Sequence, residues 1–204
     1  MPRSRHRHPG APAGDAHPKA ALRAGLRAAR RALGARPDEG PALAARVLAL
    51  PEVGTATTVA AYVAGPLEPA TAVLVEQLRA RGVRVLLPVV LPDLDLDWAL
   101  DDGARRPGAG HGVLEPGGPR LGPAAVTGAQ VVVVPALATD RCGRRLGQGG
   151  GSYDRALARV GAGALVVALV HDGELLDEPV PVQAHDRAVH VVVTPTTTLR
   201  VSSA

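Results

Sequence analysis

The sequence is poor in the residues that most often fill a protein core or cross-link a chain. Its 204 residues include no phenylalanine, two tyrosines and one tryptophan, and a single cysteine, Cys142, excludes an internal disulfide. No apolar run approaches the roughly 20 residues of a membrane-spanning helix. The basic start of the chain also lacks the apolar segment of a secretory signal. We therefore expect a cytoplasmic protein without a membrane partner, with a core of alanine, valine and leucine.

Lysine is nearly absent as well. Lys19 is the only lysine, and arginine supplies the remaining positive side chains of a chain with a net charge of +4. Residues 1–18 are rich in Pro, Gly, His and Arg without apolar periodicity, so we predict a disordered basic leader followed by a single domain over residues 19–204. Charges of both signs are mixed within that domain, which argues against nucleic acid as a partner. The balance favours an anionic small molecule.

Hydrophobic periodicity predicts helices that alternate with strands. The first helix begins near Lys19, with Leu22, Leu26 and Leu33 on its apolar face. Further helices are predicted over 41–50, 69–81 and 153–160, and strands over 57–63, 83–87, 94–100, 131–134, 164–170 and 189–193. The strand at 94–100 alternates apolar and acidic residues and is predicted to be half-exposed, and 101–128 is predicted to be a loop. The order is typical of a layered α/β domain with a mainly parallel central sheet flanked by helices.

A glycine-rich segment follows the predicted strand at 131–134. It reads Arg145-Leu-Gly-Gln-Gly-Gly-Gly-Ser-Tyr-Asp-Arg155 and leads into a predicted helix. Glycines let backbone N–H groups approach an anion closely, and the helix N-terminus adds a favourable dipole. Because α/β sheets bind ligands at the carboxyl ends of their strands, the segment predicts a nucleotide-phosphate loop. Its spacing is neither that of a Walker A loop nor that of the dinucleotide-binding fingerprint.

Asp154 and Tyr153, at the start of that helix, each have two interpretations. Asp154 can cap the helix, or it can bind the Mg²⁺ of a nucleotide. Tyr153 can belong to the core or to the site. Trp98, the single tryptophan, is interpreted as strand packing rather than as a cover over a ligand.

The glycine segment resembles the signature of the 5-formyltetrahydrofolate cyclo-ligase family, also called methenyltetrahydrofolate synthetases. Further motifs that resemble this family are collinear along the chain: Lys19-x-x-Leu-Arg23, Tyr62 to Gly65, Glu68-Pro69 with Thr71, Gly112-Val-Leu-Glu115-Pro116, Val133 to Asp140, Pro181-Val-x-x-His185-Asp186 and Val193-Thr-Pro195. The sequence departs from the family pattern at Ser152, Thr139 and Gln183-Ala184. The first two departures remove aromatic residues that the family commonly has.

The resemblance implies an ATP-dependent ligase that cyclises 5-formyltetrahydrofolate to 5,10-methenyltetrahydrofolate and forms ADP and phosphate, with Mg²⁺ as cofactor. It implies ATP binding by a set of cationic and loop residues: Lys19, Arg23, Arg145, Leu146, Gly147, Gln148, Gly149, Gly150, Gly151, Ser152, Tyr153 and Asp154. Tyr62, Val63, Glu68 and Glu115 would bind the reduced folate. Asp154 and Asp186 would bind the metal.

Lys19 and Arg23 lie one turn apart on the predicted first helix, so both can reach the same phosphates. The arginines that follow, Arg27, Arg30 and Arg31, are interpreted as a solvated face. We expect a monomer. Two other functions remain open at this point: a non-catalytic nucleotide- or folate-binding paralogue on the same fold, and a sugar-phosphate isomerase or CoA-transferase-like enzyme, for which fold analogy is the sole support.

Overall fold

A computed structural model describes residues 18–108, 114–183 and 186–201. Residues 1–17 of the predicted leader and part of two family motifs, Gly112 and His185 among them, lie outside these ranges, whereas Pro18 already belongs to the first helix. The helices are α1 Pro18–Leu33, α2 Gly40–Leu48, α3 Pro51–Thr55, α4 Ala72–Ala80 and α5 Ser152–Arg159. The strands are β1 Thr58–Ala60, β2 Arg84–Val90, β3 Leu96–Leu100, β4 Arg105–Pro107, β5 Leu114–Pro116, β6 Val131–Pro135, β7 Ala138–Asp140, β8 Arg145–Leu146, β9 Leu165–Leu169, β10 Leu175–Leu176, β11 Val191–Val193 and β12 Thr198–Arg200.

The central sheet confirms the predicted fold class. Its strands lie in the order β12-β11-β9-β6-β1-β2-β3. The five inner strands are parallel, and β3 and β12 pair antiparallel at the two edges. The inner strands are runs of valine, leucine and alanine, as expected for strands that are covered on both faces. None of the helices in the described ranges is long and apolar enough to cross a membrane.

Helices cover both faces of this sheet. On one face, Val59, Val131 and Val167 pack against residues of α2, α3 and α4. On the other face, Val132, Val166 and their neighbours pack against α5 and a short 3₁₀ helix over Pro123–Gly128. Trp98 lies fully buried in the second cluster, which confirms its interpretation as packing. Small aliphatic side chains at alternating positions thus fill two layers despite the lack of aromatic residues.

The chain reverses its direction of travel across the sheet between β1 and β6. From β1 it moves to β2 on one side, and from β6 it moves to β9 on the other side. The carboxyl ends of these two neighbouring strands therefore diverge into loops that leave a crevice between them. In open α/β sheets this crevice is the usual ligand site.

The alternation at 94–100 predicts a half-exposed strand, but the strand is buried. Asp95 and Asp97 are both buried, although β3 is an edge strand. Arg159 of α5 pairs with Asp95 through two hydrogen bonds of 2.8 and 2.5 Å. The segment after β5 also closes the outer edge of β3, where the Leu121 amide donates to the Trp98 carbonyl at 2.7 Å. An ion pair and a covering segment, which local alternation does not reveal, bury the acidic face.

Two regions predicted as loops contain short strands. The segment 101–128 holds the β4–β5 hairpin and the 3₁₀ helix. Strand β7 and the turn after it separate β6 from the glycine segment, whose first two residues form β8, so β6 does not lead directly into that segment. Strands of two or three residues are too short to show a hydrophobic period, which explains why both hairpins were missed.

The apolar face of α1 is shorter than predicted. Leu22 and Leu26 pack against a small cluster of Leu137, Leu146 and Val180 beside the β7–β8 hairpin. Leu33 does not join them and is 65% exposed. The residue that continues the buried face is Arg30.

Candidate functional site

A cavity of about 330 Å³ lies at the carboxyl ends of β1, β2 and β6. It occupies the crevice where the sheet reverses direction. Its walls come from α1, the β1 loop, the glycine segment and the start of α5. Of the predicted site residues, it is lined by Lys19, Arg23, Tyr62, Val63, Glu68, Arg145, Gly147, Gln148, Gly149, Gly150, Gly151, Ser152, Tyr153, Asp154 and Asp186.

The glycine segment forms one wall through backbone conformations that favour glycine. Gly149 and Gly151 have φ values of 103° and 72°. Gly151 is the residue before the first turn of α5, and no side chain caps this helix end. The N–H groups of the first turn are therefore not occupied by a capping side chain, as an anion site requires.

Helix α1 supplies a second wall and contacts the glycine segment directly. The Lys19 ammonium is 2.5 Å from Oδ2 of Asp186, and both side chains are at most 10% exposed. Arg23 Nε donates to the Gly147 carbonyl at 3.0 Å. Arg27 donates through Nε to the Gln148 side chain at 3.0 Å and through Nη2 to the Gln148 carbonyl. The interpretation of Arg27 as solvated is therefore wrong, because it holds the outer side of the loop.

Arg145 and Asp154 form an ion pair at the base of the cavity. Arg145 Nη2 donates to Oδ1 of Asp154, and the guanidinium is almost fully buried. Nε of Arg145 has no hydrogen-bond partner among the described residues. Asp154 lies in the first turn of α5 without capping it, so the interpretation as a helix cap is wrong. Its carboxylate instead orients the arginine and remains 26% exposed at the cavity.

The third wall is the loop after β1. The Tyr62 hydroxyl donates to the Pro69 carbonyl at 2.7 Å, and the Thr71 hydroxyl donates to the Tyr62 carbonyl at 2.6 Å. Glu68 Oε2 accepts the Gly65 amide at 2.9 Å, which curls this loop back on itself. Three side chain contacts thus fix the direction in which Glu68 and Val63 face the cavity.

Both tyrosines of the site are held in the neutral form. Burial raises the pKa of Tyr62 well above its ordinary value, and the Glu68 carboxylate adds to the effect. Burial also raises the pKa of Tyr153, again with Glu68 as the second cause, while Arg145 opposes it. The Tyr62 hydroxyl accordingly serves as a hydrogen-bond donor, to the Pro69 carbonyl.

An apolar patch that the sequence reasoning missed completes the cavity. Pro88 and Val90 at the end of β2 and Leu96 at the start of β3 line it, next to Pro135 and Ala136 at the end of β6. Their position at the ends of predicted strands is the one feature of the sequence that could have identified them. A flat apolar ligand fits such a surface better than a second phosphate does.

Two predicted site residues do not reach the cavity. Glu115 lies on β5, opposite Arg106, and is partly buried there. Leu146 is 1% exposed and packs with Leu137 and Val180, so it anchors the start of the glycine segment without facing the ligand site.

The donor set suits a magnesium ion that arrives with a nucleotide. The described residues contain no group of three or more His, Cys, Asp or Glu side chains that could hold a metal by themselves. Asp154 and Asp186 offer two carboxylates at the cavity, each next to a cation. Mg²⁺ prefers one or two carboxylates, phosphate oxygens and waters, so these residues fit it.

Comparisons with known proteins agree with this arrangement. A sequence model of the 5-formyltetrahydrofolate cyclo-ligase family matches residues 15–195. The 5-formyltetrahydrofolate cyclo-ligase of Mycolicibacterium smegmatis is 42% identical over 186 residues, which cover 87% of this chain and 93% of that protein. The Escherichia coli protein of the same name is 33% identical over 176 residues, which cover 83% and 96%.

Solved structures show the same fold. The 5,10-methenyltetrahydrofolate synthetase of Aquifex aeolicus superimposes with a TM-score of 0.74 and 26% identity, covering 91% of this chain and 94% of that one. The synthetase of Mycoplasma pneumoniae gives a TM-score of 0.66 at 18% identity, covering 86% and 97%, and supports the fold alone. With a cavity built from the motifs that carry the resemblance and relatives that match over nearly its whole length, this chain belongs to the 5-formyltetrahydrofolate cyclo-ligase family.

Proposed function

We propose that this protein is an enzyme that uses ATP to convert 5-formyltetrahydrofolate to 5,10-methenyltetrahydrofolate, with release of ADP and phosphate. The observation that carries the proposal is the composition of one cavity. Lys19, Arg23, Arg145 and the glycine segment line its phosphate-binding side, and Tyr62, Val63 and Glu68 line the side across from them. Family membership and the names of the relatives support the same reaction.

The chemistry explains why both sides are needed in one cavity. The formyl group on N5 of the folate is an amide, so its carbon is a poor electrophile. Transfer of the γ-phosphoryl group to the formyl oxygen forms an O–P bond, breaks the bond to ADP, and converts that oxygen into a leaving group. N10 then attacks the carbon and loses its proton, the C–O bond breaks so that phosphate departs and takes up a proton, and the five-membered ring is closed. The protein has to align the two substrates and stabilise charge.

Lys19, Arg23 and Arg145 are proposed to stabilise the phosphates. Each is held by an acceptor of the protein, namely Asp186, the Gly147 carbonyl and Asp154. Cations that are already oriented lose little conformational entropy when the transition state forms. A bound Mg²⁺ would neutralise further charge on the phosphates, and Asp154 and Asp186 are the residues that would hold it.

Glu68, Val63 and Tyr62 are proposed to bind the folate. A carboxylate can accept hydrogen bonds from the amino group and ring N–H of a pterin, and Glu68 faces the cavity with a fixed orientation. The apolar patch of Val90, Leu96 and Pro88 would cover the ring and exclude water from the activated intermediate. We further propose a cytoplasmic protein that works as a monomer.

The decisive experiment follows the absorbance of the methenyl product after the protein is mixed with 5-formyltetrahydrofolate, ATP and MgCl₂. Turnover that requires ATP supports the proposal, and folded protein without turnover contradicts it. Calorimetric binding of both substrates without turnover would instead indicate a non-catalytic paralogue. Absence of ATP binding together with turnover of a sugar phosphate would indicate the isomerase-like alternative.

A further inference from the structure

A group of buried ionisable side chains lies beside the cavity but does not line it. Arg30 of α1, Glu174 and His171 are 4%, 6% and 2% exposed. His171 and Glu174 lie in the segment that follows β9. Buried charges are costly unless they are paired, and a buried ion pair is weak support for stability as such. The elements that these side chains connect therefore indicate their role.

Arg30 connects α1 to the end of β6. Its Nε and Nη2 donate to the two carboxylate oxygens of Glu174 at 2.6 and 2.7 Å, a two-pronged pairing with fixed geometry. Nη2 also donates to the Ala136 carbonyl at 2.5 Å. Ala136 lines the cavity, so this one guanidinium joins the helix that carries Lys19 and Arg23 to the floor of the site.

His171 connects the same group to the loop after β1. Oε2 of Glu174 accepts the His171 amide at 2.9 Å. The His171 ring places Nδ1 at 2.5 Å from Oε2 of Glu39 and Nε2 at 3.3 Å from the Leu67 carbonyl. Leu67 directly precedes Glu68. A series of polar contacts thus runs from α1, through Glu174 and the backbone and ring of His171, to the loop that faces the folate side of the cavity.

We propose that Arg30 and Glu174, with His171, are positioning residues that set the orientation of α1 against the loop of residues 62–68, and thereby the distance between the phosphate-binding and folate-binding sides. This inference rests on the proposed function. Arg30 follows Lys19 by three helical turns and returns to within about 20° of the same side of α1. A rotation of α1 by about 20° would move a side chain at a radius of ~5 Å by about 2 Å. A displacement of that size is enough to misalign reacting groups.

The test exploits the difference between a stabilising pair and a positioning pair. In the double variant Arg30→Met with Glu174→Leu, apolar side chains of similar volume replace the two charges, and such replacements are often neutral for stability. We expect a melting temperature within a few degrees of the wild type, a kcat at least tenfold lower and a higher KM for ATP. A folded double variant with wild-type kcat and KM would overturn the inference.

A matched control is available on the far edge of the sheet. Arg200 of β12 and Glu52 of α3 form an exposed pair that also has two hydrogen bonds, from Nη1 and Nη2 to the two carboxylate oxygens at 2.8 and 3.0 Å. The double variant Arg200→Met with Glu52→Leu should keep the wild-type kcat and KM. An equal loss of activity in this control would also overturn the inference, because activity would then follow the loss of any ion pair.

A conservative variant keeps the inference testable if the double variant does not fold. Arg30→Lys retains the charge but replaces the planar fork by one ammonium group. We expect a folded protein whose kcat falls about threefold or more, and wild-type kinetics in this variant would overturn the inference. If the wild type itself shows no turnover, the proposed function fails. The ATP dissociation constant, measured by calorimetry for wild type and variants, then tests the positioning role separately: weaker ATP binding in the variants supports it, and unchanged binding refutes it.

Discussion

At the scale of single residues, Lys19 is informative because arginine replaces lysine everywhere else in the chain. The residue is 5% exposed, and its ammonium lies next to Asp186. An ammonium is a compact charge that can face a carboxylate and a phosphate at once, whereas a guanidinium is wide and planar. Lys19 is buried beside a carboxylate in the cavity wall, a position that suits a compact charge.

We predict that Lys19→Met raises the KM for ATP at least tenfold, a loss of about 1.4 kcal/mol of binding free energy. The methionine keeps the apolar stem and removes the charge. Lys19→Arg should recover little, because a planar guanidinium does not reproduce the compact point charge of an ammonium. Initial rates of methenyl formation at varied ATP concentration measure the effect. An unchanged KM in Lys19→Met would contradict the assignment of Lys19 to the phosphate site.

At the scale of elements, α1 and the glycine segment behave as one unit. Arg23 and Arg27 both contact carbonyl oxygens of the segment, at Gly147 and Gln148. Arg27 does not line the cavity, so its contribution acts through the loop. We expect the loop to be less well oriented when Arg27 is removed.

The variant Arg27→Ala should therefore raise the KM for ATP about fivefold, which corresponds to about 1 kcal/mol, with a smaller effect on kcat. Arg31 on the same helix is exposed and provides a matched control. Arg31→Ala should leave both constants unchanged. Equal kinetics of the two variants would show that Arg27 does not hold the loop.

The pair of Asp95 and Arg159 joins β3 to α5 and has a pH-dependent effect. The hydrogen bonds from Arg159 are the largest cause that lowers the pKa of Asp95 in the folded protein. The folded state thus binds this proton less tightly than the unfolded state does. The stabilisation is present above the unfolded pKa of about 3.9 and is lost as the pH falls through the lower folded value.

Asp95→Asn should accordingly lower the free energy of unfolding by about 1.5 kcal/mol at pH 7, the value typical of a hydrogen bond to a charged group. The difference between wild type and variant should shrink as the pH falls below about 3.9. Urea unfolding at several pH values measures it. A difference that stays constant down to the lowest pH would refute the electrostatic explanation.

The elements also show how far sequence reasoning reaches. The valine-rich strands β6, β9 and β11 and the helices α1, α4 and α5 are visible because their period extends over several residues. The β7–β8 hairpin is too short to have a period. The interpretation of Arg30 as solvated is wrong, because its partner, Glu174, is 144 positions away and a local pattern does not reveal it. The site motifs were identified by their resemblance to a family. The apolar patch of Val90 and Leu96, in contrast, forms only where the end of β2 and the start of β3 meet in the folded chain.

At the scale of the whole molecule, the exposed large apolar side chains of the described residues lie on different elements. They are Leu33, Val90, Leu94, Leu114, Leu121 and Val182. Stable self-association generally requires a contiguous apolar patch of several hundred Å². We predict a monomer, with a mass of 20.8 kDa in sedimentation equilibrium and a melting temperature that is independent of protein concentration. A concentration-dependent mass would contradict this.

The pairing of Lys19 with Asp186 affects when the site can form during synthesis of the chain. These residues are 167 positions apart, so Asp186 is synthesised long after Lys19. Helix α1 and the glycine segment are both made before the carboxylate that pairs with Lys19. We therefore expect a chain that is truncated before Asp186 to bind ATP less tightly than the full chain does.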